Sequence, residues 1–125
     1  MIDQQTLEDL EFPVLRDWLQ GYAVGPTAHQ KVSTLSPIES RLEIITELKK
    51  VFELKSIRDE GETFPRLEFE ELTSEIKLLP ITNAAIQLEG FLRILDASHL
   101  VNNLLVFFDK REEEYPLLSN ILENA

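Results

Sequence analysis

The chain has 125 residues, 43% hydrophobic and 28% charged, which suits one globular domain and argues against a disordered segment. Its 12 lysines and arginines stand against 23 aspartates and glutamates, a formal net charge of -11. A surface this acidic opposes nucleic-acid binding by this chain, because such binding depends on Lys and Arg. There are no cysteines, which excludes disulfides, thiolate metal sites and cysteine nucleophiles.

Two helices that begin at prolines are predicted in the first third of the chain. Pro13 suits the first turn of a helix, because its missing N–H is not needed there, and apolar residues follow it at helical spacing. This helix ends at Gly21 or Gly25. Pro26 opens a second helix, which runs to Leu35.

A strongly amphipathic helix is predicted at about 38–60. Ser36, Pro37 and Glu39 form a capping-box pattern at its start, and Gly61 follows at the usual stop position. The apolar residues recur at helical spacing and predict a buried face. They are Ile38, Leu42, Ile44, Ile45, Leu48, Val51 and Phe52.

The sequence pattern in the second half of the chain predicts three further helices. Residues 62–68 form a connector, and a short helix from about Glu70 to Leu78 stops before Pro80. Thr82 or Asn83 caps a long helix at about 84–112, and a last helix begins at Pro116.

The long helix is apolar around much of its circumference, which predicts a core helix covered on several sides. Glu89, Arg93 and Asp96 interrupt it and argue against a membrane span. At 1.5 Å per residue it would be roughly 42 Å long, against a diameter of roughly 36 Å for a compact chain of this size. We therefore expect an all-α, elongated bundle of five or six helices that forms one domain over 1–125. We also expect this chain to be an excised N-terminal piece of a longer protein.

The search for catalytic, metal and cofactor sites in the sequence is negative. His29 and His99 lie on different predicted helices without the i, i+3 or i, i+4 spacing of zinc ligands, and His99 is predicted to be a core or partly buried histidine. No phosphate-binding loop or nucleophile elbow is present. The glutamates at 68–71 and 112–114 read as solvated faces. The aromatic residues are predicted to pack in the core rather than stack on bases; they are Trp18, Tyr22, Phe91, Phe107 and Phe108.

The order of short motifs resembles the MutS superfamily's second branch, which begins with the helical core or lever region and lacks the mismatch-reading domain. The motifs cover essentially the whole chain. They are Thr6-Leu7-Glu8-Asp9-Leu10-Glu11-Phe12, then Leu15, Leu19, Ala23 and Leu35-x-Pro37, then Ile44, Leu48 and Glu53, a connector with Pro65, the long helix, and Tyr115-Pro116-Leu117-Leu118.

One segment departs from the family pattern, and another matches a family motif that belongs to a different domain. Ala28-His29 replaces the family's Gly-Lys pair, which weakens any binding role there. Phe69-Glu70-Glu71 fits the Phe-x-Glu pattern of mismatch reading, but that motif belongs to a separate domain, and we interpret Phe69 as a packing residue.

The resemblance implies a non-catalytic lever that couples an ATPase dimer to a DNA-embracing clamp. ATP and magnesium are then cofactors of the parent protein alone, and its partners are the remaining domains of the same polypeptide, a second protomer, and DNA. A cytoplasmic location without membrane contact is expected. The alternative is an interaction module that docks a partner helix in an apolar groove. A third reading, a small helical enzyme or ligand-binding bundle, would draw on His99, Asn102 and Asn103.

Overall fold

The computed structural model describes residues 2–124, and every regular element among them is an α-helix, as predicted. The described residues form seven helices, of which the first was not predicted. They are α1 (Gln4–Asp9), α2 (Phe12–Gln20), α3 (Pro26–Ser33), α4 (Arg41–Asp59), α5 (Thr73–Leu78), α6 (Leu88–Asp109) and α7 (Pro116–Glu123).

The first three helices pack in sequence, α1 on α2 and α2 on α3. Asp3 starts α1, where its carboxylate accepts a hydrogen bond from the Thr6 N–H at 2.7 Å. Pro13 lies in the first turn of α2 as predicted, and Gly21 rather than Gly25 ends that helix. Gly25 instead precedes α3 with a positive φ of 82°, a conformation that favours glycine.

Helix α4 begins later than the sequence predicted, because Ser40 and not Ser36 is its N-cap. The Ser40 hydroxyl accepts from the Glu43 N–H at 3.4 Å, while residues 35–40 lie outside any helix. Ser40 to Glu43 has the sequence pattern of a capping box as well, so two consecutive patterns compete for one helix start. The predicted end is confirmed, since Gly61 follows α4 in the left-handed conformation.

Helices α5 and α6 are also shorter than predicted. The Glu71 carboxylate accepts from the Thr73 N–H at 2.9 Å, so α5 starts at Thr73 and not near residue 70. Residues 81–83 form a turn in which Asn83 has a φ of 62°, and α6 starts only at Leu88. It ends at Asp109 instead of 112. Its 22 residues give a helix about 33 Å long.

A small core joins α4, α6 and α7. Ile57 is 0% exposed and lies with Phe107, Phe108 and Tyr115. Phe64, from the connector, packs edge-on against both phenylalanines, with ring centroids 5.4 and 6.1 Å away. Leu104, Leu118 and Leu122 surround this cluster.

Most of the faces that the sequence predicted to be buried are exposed within this chain. Phe52 on α4 is 69% exposed and Trp18 on α2 is 68% exposed. Tyr22 and Phe91 are exposed as well, so their predicted core positions are wrong, whereas those of Phe107 and Phe108 are confirmed. The reason is that α4 and α6 each have one packed side, while their apolar residues extend around to the other.

Candidate interaction surfaces and the α4–α7 joint

A pair of hydrogen bonds between distant segments holds the start of α7 to the last turns of α4. The Glu53 carboxylate accepts hydrogen bonds from the N–H groups of Leu117 and Leu118, at 3.1 and 2.9 Å. Those N–H groups belong to the first turn of α7, where the helix has no carbonyl partners for them and where its dipole favours a negative charge. We call this contact, together with Tyr115 and Glu60, the α4–α7 joint.

Tyr115 completes the joint from the buried side. Its hydroxyl donates to the Glu60 carboxylate at 2.7 Å, 55 residues away in sequence. This hydrogen bond, followed by burial of the ring, raises the pKa of Tyr115 to about 12. The joint therefore ties both ends of the Tyr115-Pro116-Leu117-Leu118 segment to acidic residues near the end of α4.

A charged pair fixes α5 against α6. Glu75 is buried on α5 and accepts a hydrogen bond from the Arg93 guanidinium, while Ser74 donates to its other oxygen at 2.9 Å. The bond from Arg93 lowers the pKa of Glu75 and raises the pKa of Arg93. Gly90 permits this approach, because a Cβ at that position would lie 3.0 Å from the Glu75 side chain.

The chain leaves far more surface exposed than a compact protein of its size. Its solvent-accessible surface is 9984 Å². A folded monomer of 14.4 kDa exposes about 6,800 Å² by the usual scaling of area with mass. The excess of roughly 3,000 Å² is carried by helices with unpacked apolar sides.

Two of the exposed apolar surfaces lie on α4 and between α5 and α6. The α4 free face lies opposite the joint and is defined by Ile44, Ile45, Leu48, Val51 and Phe52. The α5–α6 groove is lined by Leu72, Ile76, Leu79, Ile94, Ala97, Ser98, Val101, Asn102 and Leu105.

The histidines and the Phe-x-Glu motif are placed as follows. His99 is exposed on α6, so the prediction of a core or partly buried histidine is wrong. His29 is exposed and pairs with Gln20, its Nδ1 lying 2.9 Å from the Gln20 Oε1. Phe69 lies half-buried in the connector, and its ring would be 3.4 Å from a Cβ placed on Gly25, which agrees with a packing residue.

The acidic clusters line open depressions of the surface: Glu70 with Glu89, Arg93 and Asp96 of α6 in one, and the glutamates at 112–114 in others. The glutamates at 112–114 lie in a turn after α6, where they are exposed. Within residues 2–124 no group of three His, Asp or Glu side chains is arranged to hold a metal ion. Asn102 lines the open α5–α6 groove, while Asn103 and His99 are exposed.

By length and composition alone, α6 is also apolar enough to cross a membrane. Two of its charged residues form ion pairs within the protein: Arg93 with Glu75, and Asp96 with Arg66 at 2.9 Å. Ion pairs of this kind near the middle of a helix favour a protein or aqueous environment over lipid.

No pattern in the sequence indicates the pair formed by Glu75 and Arg93, which lie 18 residues apart on different helices. Glu53 entered the sequence interpretation only through the family resemblance. Comparison with models of protein families, with curated proteins and with solved structures found no match to this chain.

Proposed function

We propose that this chain is a non-catalytic helical lever segment of a MutS-like, DNA-processing ATPase of the branch that lacks mismatch reading. In such a protein it couples the ATPase dimer to a clamp that encloses DNA. ATP and magnesium belong to the parent protein, as does DNA contact, since this chain carries a net charge of -11.

The observation that carries the proposal is the α4–α7 joint. Two of the motifs on which the resemblance rests, the apolar helix containing Glu53 and the Tyr115-Pro116-Leu117-Leu118 link, contact each other although they are about 60 residues apart. A lever needs such a fixed joint, because packed helices transmit rigid-body displacement and loops absorb it.

The exposed apolar area supports the same proposal. A lever segment packs against the other helical regions of its own polypeptide, and the α5–α6 groove has the apolar lining that such packing requires.

The test uses the full-length parent protein with Glu53→Ala. We expect ATP turnover and DNA binding each to persist, while their mutual coupling weakens by about 0.5–2 kcal/mol. The matched control is Glu113→Ala, which removes an exposed carboxylate outside the helices. Unchanged coupling in Glu53→Ala, with the α4–α7 contact shown to be broken, would contradict the proposal.

A simpler measurement bears on the parent protein itself. The reading frame that contains this chain should encode a Gly-x4-Gly-Lys-Ser/Thr loop for ATP. In addition, the 125-residue chain alone should give no retention in a DNA-shift assay at low salt, where phosphate contacts are strongest. Tight binding there would contradict the passive role.

The second candidate is an interaction module that binds one amphipathic helix of another protein. The α5–α6 groove favours it, because the groove is open, almost wholly apolar, and bordered by two helices. The two candidates differ in what occupies the α5–α6 groove. In the lever, other helices of the same polypeptide cover the groove, whereas in the module the groove binds a helix of a separate chain. A parent protein without an ATP-binding loop would favour the module.

A further inference from the structure

We propose that the α4 free face pairs with the same face of a second copy of this chain, the two helices running antiparallel. This contact is independent of the lever proposal, since it involves only residues 41–52 and holds whether or not an ATPase is attached.

The first observation is the packing of α4. Among the described helices only α7 packs along it, and that contact uses its last turns, through Glu53 and Ile57. The preceding turns, about 20 Å of helix, carry five apolar side chains that face away from α7. An apolar stripe of this length is typical of a helix that packs on another.

The distribution of charge favours α4 over α6 as the helix through which two copies associate. Each copy carries a net charge of -11, so association is opposed over most of the surface. Helix α6 is acidic, with Glu89, Asp96 and Asp109 against Arg93. Helix α4 is the one long helix that is not acidic. Its charged residues are Arg41, Lys49, Lys50, Lys55 and Arg58 against Glu43, Glu47, Glu53 and Asp59.

Charge also selects the antiparallel orientation. Arg41 and Lys55 lie on the same side of α4 as the apolar stripe, so a parallel pair would place each beside its own copy. In an antiparallel pair centred between residues 46 and 47, Ile45 lies opposite Leu48 of the second copy. Arg41 then lies opposite Phe52, an arrangement that suits a cation–π contact. Opposed helix dipoles favour the same orientation.

A standard interface buries about 800 Å² on each partner. The α4 free face offers five apolar side chains, each 38% to 69% exposed. A pair formed by one helix from each copy buries less than that standard, so we expect half-dimerisation at about 1–100 μM.

Sedimentation equilibrium of the 125-residue chain tests the pairing. The mass should rise with concentration from 14.4 kDa toward twice that value. Leu48→Glu places a charge at the centre of the face and should hold the chain at the monomer mass. The matched control, Leu92→Glu, alters an α6 residue of similar exposure, 52% against 62% for Leu48, and should dimerise like the original chain. Helical circular dichroism should be equal in all three.

Two outcomes would overturn the proposal. One is a monomer mass at the highest concentration, which would leave the face to other helices of the parent polypeptide or to a different protein. The other is a dimer that Leu92→Glu abolishes and Leu48→Glu does not. Neither result bears on the coupling between ATP turnover and DNA binding in the full-length protein, so the lever proposal is tested separately.

Spin labels test the orientation, and the absence of cysteine allows single-cysteine variants. In the antiparallel pair, labels at Asp59 should lie about 35 Å further apart along the helix axis than labels at Thr46. Similar, short distances at both positions would indicate a parallel pair and overturn the proposed arrangement.

Discussion

At the scale of single residues, Ile57 is the side chain on which the core depends most. It is the one large side chain in the described residues with no solvent exposure, and it touches the aromatic cluster of Phe107, Phe108 and Tyr115. Leu95 and Leu104 are the α6 positions at which helix periodicity would place the core, but Leu95 is exposed and Leu104 only half-buried. The largest cost of truncation is therefore expected on α4.

We predict that Ile57→Ala lowers the free energy of unfolding by about 2–5 kcal/mol, through lost transfer energy and the cavity left behind. Leu48→Ala, on the exposed side of the same helix, should change it by about 0.5 kcal/mol or less in the monomer. Urea titration at low protein concentration measures both. Equal costs at the two positions would contradict the assigned packing of α4.

Tyr115 gives a prediction at alkaline pH. Its pKa is raised to about 12, above the ordinary value of 10, so the folded chain holds this proton more tightly than the unfolded chain. The stability that this hydrogen bond contributes is fully present below pH 10 and is lost as the pH rises toward 12.

In a Tyr22→Phe background, which leaves Tyr115 as the only tyrosine, the tyrosinate absorbance should have its midpoint near pH 12. Tyr115→Phe should remove the loss of stability between pH 10 and 12. A midpoint near 10 would show that the bond to Glu60 does not form.

At the scale of elements, the pairing of α5 with α6 depends on one buried carboxylate. The pKa of Glu75 lies below its ordinary value of 4.5 because Arg93 donates to it. Its contribution to stability is therefore present above pH 4.5 and is lost as the pH falls through the lowered value. Glu75→Gln should lower the urea midpoint at neutral pH and flatten its dependence on acid pH. Glu70→Gln is the control, an exposed carboxylate nearby.

The helix ends show what could be predicted from sequence and what could not. Pro13, Pro26, Pro116 and Gly61 mark helix ends by their own backbone preferences, and the structure agrees at each. Where two polar residues can each be the N-cap of one helix, as Ser36 and Ser40 can for α4, the local pattern is ambiguous. The sequence predicts an earlier start of α4 than the structure has.

Burial was predicted less well than helical structure. Periodicity identified the apolar sides of α4 and α6 correctly, but it does not say which neighbour covers them. The sequence therefore predicted Trp18 and Phe52 as core residues, although both are exposed. The contacts of Glu53 with α7 and of Glu75 with Arg93 join segments far apart in sequence, and no local pattern encodes such pairs.

At the scale of the whole molecule, stability should be distributed unevenly. The helices α1, α2 and α3 contain no buried residue, whereas the cluster around Ile57 joins α4, α6 and α7. We expect amide hydrogen exchange to be fast throughout α1–α3 and slowest at the ends of α4 and α6 near the cluster. Uniform protection along the chain would show that the N-terminal helices are covered by a contact with another molecule.

The joint at Glu53 also acts at a distance because it lies at one end of α4. The 12 residues of that helix from Arg41 to Phe52 extend beyond it, a length of roughly 18 Å. A tilt of about 10° at Glu53 would move Arg41 through an arc of roughly 3 Å, about the donor–acceptor distance of one hydrogen bond. The position of the opposite tip of α4 therefore depends in part on the contact between Glu53 and two backbone amides at the start of α7.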